Sequence, residues 1–263
     1  MTLNAGEVRL IGRPIEQDLT AAEEALAVIR RTSAERANRL VLVGEAVRPT
    51  RLHEDEQSQS LQLAGTRQTY GLLAIPLLGS HQTLNCATAV AALEASGLSV
   101  TPRQVQEGLT QTKWPGRFQK VSEEPLVVLD GAHNAAAAEK LAATLREHFT
   151  GKKLTFILGV LRDKNYDQMC QILAPLAEDI LCVPVNSERS CDPDQLARWC
   201  KAANPAAHIS VSSNVSSAYT KAAGMKQTVI VIAGSLFLVG EALDRLGFAH
   251  PAKSKTPKEL VLQ

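Results

Sequence analysis

Residues 126–137 read LVVLDGAHNAAA, an apolar run followed by an acid, a histidine and an amide within five positions, then alanines. An apolar run entering a polar turn and then a helix former reads as strand, loop and helix. In open α/β sheets ligands bind outside the carboxyl ends of the strands, so such loops are weighed before any others. Asp130 ends the strand, where a carboxylate can accept hydrogen bonds from a ribose diol. Gly131 permits a tight turn, and Asn134 can cap the helix, whose first turn carries the positive end of its dipole. A plainer reading stands beside this one: Asp130 and Asn134 only cap the turn, and His133 packs against it.

Three other segments hold similar groups. GSHQTLN places His81 and Asn85 four apart, on one face of a helix near its N-terminus, an end that could face a nucleotide. Four-apart polar residues are also what a solvated face looks like. In KWPGR, Arg117 follows a helix-breaking Pro-Gly pair, a place where a guanidinium can clamp phosphate between domains, or serve only as a surface arginine. GVLRDKN offers Asp163 and Lys164 after a strand, and IAGSLFLVGE offers Ser235 at a helix start. Either can be a cap and nothing more.

The elements that would position these loops follow from the hydrophobic pattern. VRLIG, then Leu26 and Ile29 at helix spacing, then RLVLVG, predict a βαβ-like start. Two strand-like runs around AGTR predict a hairpin or a pair of edge strands. Ser80 is expected to cap the helix HQTLNCATAVAALEA, with Gly97 past its end, and Thr101-Pro102 opens a second helix. Beyond Pro115-Gly116 the runs LVVLD, LTFILGVL, DILCVPV and TVIVIAG alternate with amphipathic helices, one faced by Leu141, Leu145 and Phe149, another begun at Asp192-Pro193. That alternation predicts an α/β fold with a mostly parallel sheet covered on both faces.

Composition excludes several classes. Among 263 residues, 28 Lys plus Arg balance 27 Asp plus Glu, which gives no electrostatic reason to expect a nucleic acid or an anionic membrane. Five cysteines without a C-x-x-C pair indicate neither a disulfide framework nor zinc. No run is long and apolar enough to span a bilayer, and the expected location is cytoplasmic. A nicotinamide oxidoreductase is disfavoured, since no G-x-G-x-x-G follows an expected strand.

Taken in order, GSHQTLN, WPGR, LDGAHN, RDKN and AGSLFLVGE resemble the folylpolyglutamate synthase and dihydrofolate synthase family of the Mur ligase superfamily. The resemblance implies an ATP-dependent ligase that phosphorylates a folate or dihydropteroate carboxylate and lets the amine of L-glutamate attack the acyl phosphate. It implies a Rossmann-like C-terminal domain at residues 118–250, after the end of a central ATPase domain at residues 1–117; residues 251–263, with little to bury, are expected to form a mobile tail. Carried to matching positions, it makes Asn85, Arg117 and Asp130 contacts to ATP and puts His133 and Ser235 by the glutamate and the reacting acyl phosphate. His133 is the catalytic candidate; His81, Asp163 and Lys164 are further candidates. Asn165 departs from the family's Asp-Lys-Asp loop, and Cys86 stands where the family has alanine.

One feature of an ATPase is missing from the sequence. A P-loop needs G-x-x-x-x-G-K-[ST]; the Gly151-Lys152 pair is followed by Lys153 and has Arg146 in place of the first glycine. The family's Mg²⁺ ligands and its modifiable lysine precede the segment that AGEVRLIGRP resembles. The expectation is therefore the back half of such an enzyme, monomeric, without metal ligands of its own and inactive alone. The alternatives are a non-catalytic nucleotide-binding module and another Mur-type amino-acid ligase.

Overall fold

The computed structural model describes residues 8–12 and 19–248, with side chains from residue 24 onward. The expected tail, 251–263, lies outside the described residues. The chain divides into two units, the first ending at Thr112 and the second beginning at Lys113.

The first unit opens with β1 (Val8–Gly12), α1 (Leu19–Glu35) and β2 (Arg39–Val43), the two strands pairing in parallel as the βαβ reading expects. β3 (Arg48–Glu54), β4 (Gln59–Ala64) and β5 (Thr69–Ile75) form an antiparallel sheet in that order. The β4–β5 pair is the hairpin expected around AGTR; β3, polar and carrying Pro49, was not foreseen. Two helices complete the unit, α2 (His81–Ser96) and α3 (Pro102–Thr110). Leu61, Leu63, Tyr70 and Leu73 from the hairpin meet Leu84, Ala87, Val90 and Ala91 of α2 in one core.

Caps set the helix limits. Thr101 accepts from the Gln104 amide while the Gln104 side chain accepts from the Thr101 amide, with Pro102 following, a complete capping box. Gly97 ends α2 in the left-handed region at φ +80°. The expected cap at Ser80 is not made. Ser80 already has helical dihedrals, so its hydroxyl does not face the first free amides; instead its carbonyl accepts the Thr83 hydroxyl at 2.7 Å.

The second unit is a βα alternation: β6 (Gln119–Glu123), β7 (Leu126–Asp130), α4 (Ala135–His148), β8 (Lys153–Leu158), α5 (Tyr166–Leu173), β9 (Asp179–Cys182), α6 (Pro193–Ala203), β10 (His208–Val211), α7 (Val215–Ala223), β11 (Thr228–Ala233) and α8 (Leu236–Arg245). The sheet order is β10-β9-β8-β11-β7-β6, parallel except for β6. Both alternating sets of strand residues are buried. Val127, Leu129, Ile157, Leu181 and Ile230 form a core with α7 and α8; Val128, Phe156, Ile180 and Val231 are buried on the other face. Right-handed crossovers explain the layers: α4, α5 and α6 join strands progressing one way across the sheet, and α7 carries the chain back. Among the described residues no helix is long and apolar enough to cross a membrane.

The register aligns the loops of interest. Ala233 at the end of β11 pairs with Asp130 of β7 on one side and Leu158 of β8 on the other. LDGAHN, RDKN and AGSL therefore leave the same carboxyl edge side by side. The chain after β7 and β8 departs for one face and after β11 for the other, which opens a crevice around the end of β11.

Candidate functional site

At this edge two loops are tied together. The Asp130 carboxylate accepts from the Phe118 amide at 2.9 Å with Oδ2 and from the Ala132 amide at 2.8 Å with Oδ1. The Gly131 amide donates to the Gly116 carbonyl at 2.8 Å. WPGR and DGAH are thus held in fixed relation by two hydrogen bonds, from Phe118 to Asp130 and from Gly131 to Gly116, while the third shapes the DGAH turn itself. Burial pushes the Asp130 carboxyl up, against the two amides and the Arg117 charge, which favour the ionised form.

Glycine is needed at both contact points. Gly116 has φ +70°, and a Cβ there would stand 2.8 Å from Val239 Cγ1. A Cβ on Gly131 would stand 3.0 Å from Arg117 Nη1 and would collide with Leu236. The guanidinium therefore lies over Gly131 beside Asp130. Arg117 makes no hydrogen bond or ion pair among the described residues, so its five donors remain for an anion or a ring edge.

His133, half-buried, places Nδ1 2.9 Å from the Gly131 carbonyl. A carbonyl only accepts, which puts the proton on Nδ1 and leaves Nε2 as the atom for a ligand. Asn134 caps α4 as expected, its Oδ1 accepting from the Ala137 amide at 2.8 Å. Ser235 caps α8, accepting from the Phe237 amide at 3.1 Å, and is buried. Its hydroxyl proton can still be donated, but the cap fixes its oxygen.

The RDKN loop is joined to the loop after β9. Asp163 pairs with Arg189 at 3.2 Å and with Lys164 at 3.6 Å, and the Arg162 amide donates to the Arg189 carbonyl at 2.9 Å. Arg189 was not singled out from sequence, where SERS carries no pattern; only the fold shows it as the partner of Asp163.

His81 and Asn85 belong to the first unit. Both face Gln82, which lies 3.1 Å from His81 Nε2 and accepts from Asn85 Nδ2 at 2.9 Å. Asn85 is exposed. The start of α2 is fixed from the hairpin sheet: buried Gln59 donates to the Leu77 and Gly79 carbonyls, and Glu54 accepts from the Gly79 amide.

The second unit matches a known domain. Residues 116–236 match the family described as Mur ligase, glutamate ligase domain. Over 179 residues the chain is 31% identical to the dihydrofolate synthase/folylpolyglutamate synthase of Escherichia coli, covering 61% of this chain and 42% of the relative. Over 144 residues it is 35% identical to the protein of that name from Mycobacterium tuberculosis, covering 53% and 30%. The second unit carries the glutamate ligase domain of the Mur ligases, and the chain is similar to members of the folylpolyglutamate synthase and dihydrofolate synthase family.

A solved structure of this family, the M. tuberculosis folylpolyglutamate synthase complexed with ADP, superposes with a TM-score of 0.81 at 28% identity, over 92% of this chain and 55% of that one. The chain thus spans about half the length of the folylpolyglutamate synthases it matches. The observed sheet, mixed α/β and mostly parallel, agrees with the fold expected from the resemblance.

Proposed function

We propose that this chain supplies part of an ATP-dependent ligase that joins L-glutamate to a folate or dihydropteroate carboxylate. In that reaction the carboxylate attacks the terminal phosphorus of ATP, forming an acyl phosphate and releasing ADP; the glutamate amine then attacks the acyl carbon, forming the amide and releasing phosphate. The observation that carries the reading is the Arg117 guanidinium, without a hydrogen-bonding partner, over Gly131 beside the half-buried Asp130, in a domain of the glutamate ligase family.

In this reading Asp130 receives the ribose hydroxyls on the lone pairs that Phe118 and Ala132 leave, Arg117 and Asn85 contact the nucleotide, and His133 Nε2 with Ser235 meets the glutamate and the acyl phosphate. His81, Asp163 and Lys164 are further candidates for the same ligands. Residues 1–117 belong to the ATPase domain and 118–250 to the ligase domain, working as a monomer in the cytoplasm. These residues suit a nucleoside and an amino acid better than a metal: both Asp130 oxygens already take amide hydrogens, and Asp163 is neutralised by Arg189 and Lys164. In this reading the Mg²⁺ ligands and the phosphate cradle are supplied by residues other than those named.

Two measurements test the reading. Labelled ADP in equilibrium dialysis should bind the purified chain weakly and lose affinity in Asp130→Ala; equal binding by both proteins would overturn the ribose assignment. ADP release from ATP in the presence of dihydropteroate and glutamate should be absent for the chain alone. Release by the chain alone would show that its phosphate cradle lies within these residues.

A further inference from the structure

Four of the five cysteines gather in one layer of the second unit. Cys170 is on α5, Cys182 ends β9, Cys191 precedes α6 and Cys200 lies on α6, and all are buried without a disulfide. Cys170 and Cys200 have their Sγ atoms 3.5 Å apart, across the contact between α5 and α6. The Cys182 thiol lies close enough to Cys200 to act on its charge. The bond with Cys200, and then burial, pushes the Cys170 thiol up, whereas the thiols of Cys170 and Cys182 pull Cys200 down. One sulfur is thus flanked by two thiols that favour its thiolate, the form that reacts with oxidants.

The two helices matter because of where they begin. α5 follows the loop of Asp163 and Lys164, α6 follows the loop of Arg189, and Asp163 and Arg189 are paired at 3.2 Å. A covalent tie between α5 and α6 would hold these two loops of the carboxyl edge in one arrangement.

We infer that Cys170 and Cys200 are a redox modification site at which a peroxide converts the dithiol into a disulfide joining α5 to α6. The Cys200 thiolate attacks a peroxide oxygen; the O–O bond breaks, and the leaving oxygen takes a proton and departs as water or an alcohol. The Cys170 sulfur then attacks the Cys200 sulfenic acid, the S–S bond forms, and the hydroxyl leaves as water with the Cys170 proton. Two electrons pass from the sulfurs to the peroxide. Burial slows such chemistry, but α5 has only eight residues, and the local opening of so short a helix admits a small oxidant.

The test uses the full chain and hydrogen peroxide, followed by unfolding, alkylation of the remaining thiols and peptide mapping by mass spectrometry. The expected product has three alkylated cysteines of the five, a mass about 2 Da lower before alkylation, and a linked pair of peptides containing Cys170 and Cys200, reversed by dithiothreitol. Cys170→Ser and Cys200→Ser should each abolish the link, and Cys86→Ser should not, with circular dichroism confirming that each variant is folded. Five alkylated thiols after peroxide, a link that pairs Cys182 or Cys191 instead, or oxidation ending at sulfinic acid would each overturn the assignment. Should a serine variant fail to fold, the linked peptides in the unaltered chain decide the question.

Discussion

The Asp130 carboxylate holds the Phe118 amide at 2.9 Å, although a strand and a turn separate the two residues along the chain. Phe118 needs that tie, since it occupies the left-handed region at φ +42°. Asp130→Asn replaces one acceptor oxygen by an NH₂ group that faces an amide donor. The expected loss of stability is about 1–3 kcal/mol, measured by denaturant unfolding of the chain.

Asp130 and His133 should separate in kinetics of an enzyme completed with a P-loop-bearing segment. Asp130→Ala removes binding shared by ground and transition states and should raise the Michaelis constant for ATP roughly tenfold to a hundredfold, sparing that for glutamate. His133→Ala should depress turnover and glutamate use while leaving ATP affinity within about threefold. Identical losses confined to ATP in both variants would make the whole loop a nucleotide clamp.

Glu94 should give the first unit an acid-sensitive step. Buried on α2, it accepts from the Thr66 amide and hydroxyl at 2.7 Å each and from the Tyr70 hydroxyl at 3.2 Å, pinning the hairpin turn to the helix. Burial alone would raise its pKa, but the hydrogen bonds from Thr66, Arg67 and Tyr70 outweigh it and hold the carboxyl below its usual 4.5. A lowered folded pKa stabilises above the unfolded value, and that contribution fades as pH falls below 4.5 through the folded value. Glu94→Gln should flatten the pH dependence of unfolding in that window, and Glu94→Ala should cost about 3 kcal/mol or more by stranding buried donors.

Two glycines, one just before Ser235 and one within α8, should respond with opposite signs. Gly234 has φ +111°, and a Cβ there would stand 2.6 Å from the Gly159 carbonyl oxygen, so Gly234→Ala should destabilise by about 2 kcal/mol or more. Gly240, within α8, would place a Cβ in open space, and Gly240→Ala should stabilise by roughly 0.5–1 kcal/mol. Thermal unfolding of the two variants checks both.

The amino-acid sequence by itself determined four of the second unit's strands, β7, β8, β9 and β11, and their alternation with helices. LVVLD, LTFIL, DILC and TVIVIA are continuous apolar runs because strands covered on both faces have no solvent side to mark with polar residues. It also determined the caps at Thr101, Asn134 and Asp192, which are contacts within one helical turn. It missed β3, β6 and β10, short or polar strands that pair on one side only and need little apolar surface. It misplaced the cap at Ser80, where backbone dihedrals and not residue type decide. Only the tertiary structure decided that β11 inserts between β7 and β8, bringing Asp130, Leu158 and Ala233 into one row. It alone showed that both Asp130 oxygens are engaged, that Arg117 lies over Gly131, and that Arg189 answers Asp163. Each of these pairs residues distant in sequence through strand order and loop closure, and residue spacing along a chain encodes periodicity, not which strand becomes whose neighbour.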